Sequence, residues 1–280
     1  LPEHSATVDE ETLVVLRAVA EAAELLRIAW LVTGAGGRIL LLERVYGGPA
    51  GRATMDLDFG VMVRDWDQYA RLRAAVCRGP RFRPDPKQAQ RLHGPGGRYL
   101  DLIPFGGVET PQGLVRWPPD GDILLRVSGF EDACRHAAIV VVNDGACRVP
   151  VVTPEHLVSL KLFAWKDRRF THPRKDAADL AYVLGHATAW VGEERLFDSH
   201  FDVVAAAGYD LDLAAARVLG RTLAAQASPT TRTLLTELLS AELARGEDSD
   251  LVRDVGRQLM TGAKRAFALL DALRQGVQEA

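Results

Sequence analysis

At 280 residues the chain has room for one large domain or two of ordinary size, each able to bury a core. Hydrophobic residues at 48% and charged residues at 25% exclude a disordered chain, a collagen-like repeat and a long coiled coil. With 34 basic residues against 37 acidic ones, a net of −3, the chain lacks the bulk charge of a non-specific nucleic-acid binder, so a polyanionic partner needs a local basic patch. No apolar run reaches the roughly 18 residues of a membrane helix, and Leu1-Pro2-Glu3-His4 has no basic n-region or apolar h-region, so no secretory signal is expected there. Cys77, Cys134 and Cys147 form no C-x-x-C pair and no zinc spacing with the seven histidines. Three reduced, mostly buried thiols in a cytoplasmic protein are expected.

Thr7-Val8-Asp9-Glu10 has capping-box spacing, and Leu13, Leu16, Val19, Ala20 and Ala23 then recur at helical period. Ala29 to Val32 reads as a buried strand, Thr33-Gly34-Ala35-Gly36-Gly37 as a tight turn, and Arg38 to Tyr46 as a short apolar helix stopped by Gly47-Gly48-Pro49. Asp56 to Val63 reads as a strand, followed by a helix capped by Asp65. Residues 79–98, rich in Gly, Pro and Arg, predict a loop with one short strand. Tyr99 to Ile103 alternates as a strand should, with Pro104 ending it. Ile139–Val142 and Cys147–Val151 are joined by Asn143-Asp144-Gly145, a hairpin signal. From Thr153-Pro154 onward the pattern is helical: 154–167, 174–185, about 193–207, 211–226, 229–245 and 249–275. The expected organisation is an α/β (α+β) half over residues 1–152 and a helical domain over 153–280.

Asp56-Leu57-Asp58 is the sharpest chemical feature. Residues i and i+2 of a strand share a face, roughly 6.6 Å apart, and two carboxylates there repel unless cations or water screen them. Paired carboxylates with substrate phosphates suit a hard divalent ion. Asp101, a single acid inside the apolar run Leu100 to Phe105, has no evident structural task. On an adjoining strand it would make a third ligand, and three such acids can hold two metal ions roughly 3.5–4 Å apart for in-line phosphoryl displacement. The bland alternative is that the acids line an exposed strand face. The strand–glycine turn–helix unit upstream, where backbone N–H groups can hold a phosphate, favours the chemical reading.

The turn Gly34-Ala35 opening a helix, the run Arg52-Ala53-Thr54-Met55-Asp56-Leu57-Asp58, and Asp101-Leu102-Ile103-Pro104-Phe105 resemble the nucleotidyltransferase superfamily of DNA polymerase β type. Lys161 to Arg168 followed by Arg174 to Leu180 is similar to the K-x-x-A-x-x-x-R … D-x-x-D-L pattern of its AbiEii toxin-like branch, linked to type IV toxin–antitoxin and phage-abortive systems. The resemblance extends over residues 33–180. It implies a minimal nucleotidyltransferase fold, a mixed sheet with flanking helices, followed by a helical domain that completes the cleft. It also implies metal-dependent transfer of an NMP from an NTP to an acceptor hydroxyl, on tRNA, other RNA or protein, with Mg²⁺ or Mn²⁺ as cofactor and a cognate antitoxin as partner. Asp56, Asp58 and Asp101 would be the catalytic and metal-binding acids. Thr33, Gly34, Ala35, Gly36, Arg52, Thr54, Lys161 and Arg168 would contact the nucleotide, supported by Asp176 and Asp179. One departure is Ala35, where relatives commonly carry a serine whose hydroxyl touches phosphate.

Other readings are weaker. Gly34-x-Gly36 followed by an acid suggests a dinucleotide fingerprint, but Ile39 stands at the third glycine and the acids precede their apolar strand. No G-x-S-x-G elbow occurs. A non-catalytic nucleotide-binding or antitoxin-binding module with the same fold is the alternative that Ala35 keeps open. Lys161 and Arg168 with Asp176 and Asp179 make either a nucleotide contact or an interhelical salt-bridge lattice, and the two are compatible. Arg78, Arg81, Arg83, Lys87, Arg91 and Arg98 form a basic stretch that either solvates a loop or tracks a phosphate backbone.

Overall fold

The computed structural model describes residues 4–51, 54–118, 124–171 and 173–279. The chain divides into two units, Leu1–Thr153 and Pro154–Ala280. In the first, an eight-stranded mixed sheet is built from β1 (His4–Ala6), β2 (Trp30–Thr33), β3 (Asp56–Val63), β4 (Arg83–Pro84), β5 (Arg91–His93), β6 (Tyr99–Gly106), β9 (Ala138–Val142) and β10 (Cys147–Val151). A separate two-stranded ribbon pairs β7 (Leu114–Arg116) with β8 (Leu124–Arg126). The large sheet runs β1-β9-β10-β2-β3-β6-β5-β4. β3 lies antiparallel to β2 and parallel to β6. The mixed sheet with flanking helices agrees with the expected fold class.

The first helix, α1 (Glu10–Leu26), is capped by Asp9 rather than Thr7: the Asp9 carboxylate accepts from the Thr12 amide at 2.9 Å. Glu10 and Glu11 add negative charge in its first turn, where the helix dipole favours it. Leu13, Leu16, Val19 and Ala23 are buried at helical period. The next helix, α2 (Gly34–Gly37), continues into a π-helical stretch, Arg38–Val45. Helix α3 (Trp66–Val76) has Asp65 as its cap, and its buried Tyr69 hydroxyl donates to the Leu102 carbonyl at 3.0 Å, anchoring it on β6. Trp117 packs edge-on against Trp66 and Tyr69 and is 6% exposed, a core position rather than a base-stacking one. The short helix α4 is Phe130–Arg135.

Two sequence expectations in this unit are corrected. Residues 79–98 hold two short strands, β4 and β5, instead of one. Pro104 does not end β6, which runs to Gly106 with Pro104 in register with Val61. The Leu102 amide points to the β5 side, donating to the Gln90 carbonyl at 2.9 Å. Position 104 therefore points the same way, beyond the last rung of β5 at Asp101, where no partner needs a donor. The β9–β10 turn carries Asn143, Asp144 and Gly145 in left-handed backbone, as the hairpin signal requires. Cys147 is buried, while Cys77 and Cys134 are only half-buried; none is in a disulfide, and burial pushes the Cys134 thiol up to about 11.

The second unit contains α5 (Pro154–Arg168), α6 (Pro173–Gly185), α7 (Ala187–Val191), α8 (Glu193–Ser199), α9 (Phe201–Ala206), α10 (Leu211–Gln226), α11 (Pro229–Leu243), α12 (Asp250–Leu259) and α13 (Gly262–Gln278). The single helices expected over 193–207 and 249–275 are each broken. His200 interrupts the first, and Met260 in left-handed backbone the second. Met260 continues the apolar period in sequence, yet it is 92% exposed. Among the described residues no helix is long and apolar enough to cross a membrane.

α10 and α13 cross with their backbones almost touching. A Cβ on Gly276 would lie 2.0 Å from the Arg217 carbonyl oxygen, and one on Gly220 would lie 2.2 Å from that of Leu273. Backbone cannot yield as a side-chain tip can. Gly276→Ala is therefore expected to cost about 1–3 kcal/mol in urea denaturation; an unchanged midpoint would show that the helices separate without penalty.

Candidate active site

The alternation of β3 and β6 decides which side chains face out. In β3, Leu57 and Phe59 are buried, while Asp56 and Asp58 between them are half-exposed on the opposite face. In β6, Leu100 and Leu102 are buried and Asp101 shares the open face. The parallel register sets Asp58 directly opposite Asp101, and Asp56 opposite Tyr99. On its other side Asp58 is in register with Thr33, the last residue of β2. Asp101, distant in sequence, is thus brought beside Asp56 and Asp58 on the adjacent strand, next to the glycine turn.

The turn fits around Asp58. Gly34 has φ +61°, and a Cβ built on it would fall 1.9 Å from Oδ2 of Asp58. Gly36 lies against Leu57, where a Cβ would approach Cδ2 to 2.8 Å. Thr33, Gly34, Ala35 and Gly36 are buried, and the Thr33 side chain makes no capping bond to the helix. Thr54 acts locally: its hydroxyl accepts from the Asp56 amide at 3.0 Å and steers the chain into β3. Arg52 lies outside the described residues.

The π-helical stretch carries a buried pair that the sequence reading missed. Arg38 is 1% exposed and ion-pairs with Glu43, five residues on, a spacing that faces one turn to the next only where the helix is wider than α. Glu43 Oε1 also accepts from the Gly51 amide at 3.2 Å. A Cβ on Gly51 would overlap the Arg38 guanidinium. Gly51 is therefore held against the Arg38–Glu43 pair.

Arg91 is the second missed residue. From β5, in register with Asp101, it donates from Nε to Oδ1 at 2.8 Å and from Nη2 to Oδ2 at 2.7 Å. Nη2 also lies 3.7 Å from Asp56 Oδ1. The guanidinium stands over the Tyr99 ring, 4.9 Å from its centroid. The hydrogen bonds to Asp101, against the opposing effect of burial, hold Arg91 well above the usual guanidinium range, with Asp56 and Asp58 adding attraction. Asp101 therefore does have a structural partner, and the expected mutual repulsion of three bare carboxylates is offset by one built-in cation. Nothing in the composition of residues 79–98 distinguishes Arg91 from its basic neighbours; only the β5–β6 register does.

The donor set can be tested against a divalent cation. Asp56 and Asp58 offer hard oxygens on one face, and the Asp58 carboxylate occupies the space left by the missing Cβ of Gly34. Among the described residues no three His, Cys, Asp or Glu side chains converge as a ready metal cluster. Arg91 holds both oxygens of Asp101. The donor chemistry of Asp56 and Asp58 fits a hard divalent ion.

In the second unit, Lys161 on α5 is 6% exposed and binds Asp179 at 2.6 Å and Asp176 at 3.4 Å. Arg168 grips the fully buried Asp176 with Nη2 at 2.7 Å from Oδ1 and 2.8 Å from Oδ2. The i, i+3 acids of α6 are thus clamped by two cations about two turns apart on α5, which is the lattice foreseen as one of the two readings. Arg169 extends it to Glu242, which accepts from Ser249 at 2.7 Å.

A family model described as nucleotidyl transferase AbiEii toxin, type IV TA system, matches residues 39–272. The span takes in Asp56, Asp58, Asp101 and the Lys161–Asp179 block; the glycine turn lies just upstream. No curated protein matches the chain. Three solved structures are similar to it. The solution structure of the antibiotic-resistance factor ANT(2″)-Ia has 16% identity and TM-score 0.41, covering 72% of this chain and 99% of that one. The crystal structure of ANT(2″)-Ia with adenylyl-2″-tobramycin has 16% identity and TM-score 0.40, covering 70% and 95%. An antigenic nucleotidyltransferase-like protein from Paracoccidioides brasiliensis has 17% identity and TM-score 0.42, covering 75% and 94%.

Three substitutions probe this geometry. Gly34→Ala should destabilise the chain through left-handed strain of about 1–2 kcal/mol plus the clash with Asp58. Adding Asp58→Ala should recover the clash but not the strain; strictly additive losses would mean that the carboxylate moves aside freely. Lys161→Ala leaves two buried carboxylates without their shared cation and should cost about 3–5 kcal/mol by chemical denaturation. A near-unchanged stability would show that the lattice is dispensable to the fold.

Proposed function

The chain belongs to the AbiEii nucleotidyltransferase toxin family of type IV toxin–antitoxin systems, and from that premise we propose that it moves an NMP from an NTP to a terminal hydroxyl of an RNA, releasing pyrophosphate. The observation that carries this reading is the seating of Asp58 against Gly34, in register with Asp101. It joins a carboxylate pair to a turn whose following amides, those of Ala35 and Gly36, open a helix and can donate to phosphate oxygens. Asp56 and Asp58 are the residues to hold Mg²⁺ or Mn²⁺. Such an ion offsets the charge of the triphosphate and lowers the pKa of the attacking hydroxyl. Asp101 then acts as further ligand or base. Without a serine hydroxyl at position 35, phosphate contacts fall to backbone N–H groups.

An RNA acceptor is supported by charge. Of the basic stretch, Arg91 and Arg98 are committed to Asp101 and Asp9. Arg78, Arg81, Arg83 and Lys87 remain exposed, on and around the β4–β5 hairpin that flanks Asp101. That local basic edge, on a chain of net negative charge, suits a phosphate backbone. Lys161 and Arg168, oriented by Asp176 and Asp179, are read as the cations for a phosphate or an acidic partner, and a cognate antitoxin follows from the family.

Incubation with each α-labelled NTP, Mg²⁺ and total RNA should place label in the RNA fraction. Asp58→Asn should cut that label about a hundredfold or more, with Asp56→Asn adding little, because the acids act as one unit. Label appearing in protein instead would overturn the acceptor; no label in any fraction would overturn the transfer itself.

A further inference from the structure

Among the described residues, Arg91 is a cation that reaches both Asp101 and Asp56. Its fork spends both Asp101 oxygens at 2.7 and 2.8 Å while a third contact reaches toward Asp56 at 3.7 Å. Both partners are largely shielded, the side chains of Arg91 and Asp101 being 18% and 13% exposed. Shielding strengthens the pair and makes an uncompensated Asp101 costly. The guanidinium is held from below as well. It stacks on Tyr99, whose ring meets His93 edge-on, and His93 binds Asp85 at 2.7 Å. A chain of contacts along the short β4–β5 hairpin thus aims Arg91 at the acids.

We propose that Arg91 is the resting counter-cation of this site, a positioning residue that neutralises Asp101 until a divalent cation displaces it. The inference rests on the reading that Asp56, Asp58 and Asp101 take such a cation. The fork takes one lone pair on each Asp101 oxygen and sets a fixed positive charge beside the others, so a divalent ion approaching Asp101 meets both a competitor and a repelling cation. An ion that takes Asp101 in full must displace two charge-assisted hydrogen bonds. Arg91 thereby raises the divalent concentration at which the third acid joins. It also keeps the acids from repelling one another in the metal-free protein. On release, the guanidinium stands beside the site with its donors unspent, placed to take a phosphate oxygen.

The test is Mn²⁺ binding without nucleotide, read from the electron paramagnetic resonance signal of the unbound ion. Arg91→Gln should bind Mn²⁺ about tenfold tighter than the natural chain, since a positive charge and a competitor are both removed. Adding Asp58→Asn should abolish that gain. Arg91→Gln should also melt at a lower temperature than the natural chain without metal, and the gap should close as Mn²⁺ is added. Should Arg91→Gln fail to fold, Arg91→Lys gives the reading. Its ammonium lacks the two-point fork, so Mn²⁺ should bind about threefold tighter. Equal affinity in the natural chain and the variants, or a melting gap indifferent to Mn²⁺, overturns the proposal. Equal affinities with intact NMP transfer by the natural chain remove the role of Arg91 and leave the transfer standing. Tighter Mn²⁺ binding in Arg91→Gln without NMP transfer by the natural chain does the reverse.

Discussion

The parallel register between β3 and β6 is the constraint on which the site depends. Eight consecutive residues pair, from Asp56 with Tyr99 to Val63 with Gly106. Because side chains alternate across a strand, a slip of one residue would turn Asp56 and Asp58 into the core and bring Leu57 and Phe59 out. The burial of Leu57, Phe59, Leu100 and Leu102 opposes such a slip. The hydrophobic core thus fixes where the carboxylates stand. The same register limits the residue at position 34. With Asp58 held in place, only a residue without a Cβ leaves room for its carboxylate beside the turn.

Charge in the first unit is arranged by pairing rather than by exposure. Arg38 and Glu43 satisfy each other within the π-helical stretch, and Arg91 satisfies Asp101 between β5 and β6. Both cations are substantially shielded, so each is costly unless paired. The second unit follows the same rule with Lys161, Arg168, Asp176 and Asp179. Positions that the family pattern marks for function are therefore also positions that the fold must satisfy electrostatically. A substitution at one of them changes stability and chemistry together, and the two must be measured separately.

The exposed basic residues of the β4–β5 region differ in kind from these pairs. Arg78, Arg81, Arg83 and Lys87 stand in solvent, where their attraction for a polyanion is long-range and salt-dependent. Arg91 comes from the same stretch of sequence but is shielded, short-range and geometrically specific. A stretch that looks uniform in composition is divided by the sheet into a set of surface charges and a residue committed to the acids.

By itself, the sequence determined the units of this architecture: the strand at Asp56–Val63, the glycine turn, the β9–β10 hairpin and the change to helices at Pro154. Each follows from local rules, namely alternation, caps, turn residues and the demands of proline. It also marked Asp56 and Asp58 as a carboxylate pair on one strand face, and Asp101 as a lone acid in an apolar run. Tertiary structure alone decided the rest, because pairing register and neighbour contacts have no local signature. Arg91 could not be told from Arg83 until β5 was laid against β6. The Arg38–Glu43 pair faces itself only in a π-helix, which no periodicity announced. Pro104 continues its strand because β5 stops short of it, and the break at Met260 within 249–275 had no sequence mark because an apolar residue in an exposed left-handed turn reads, in sequence, like one more buried position.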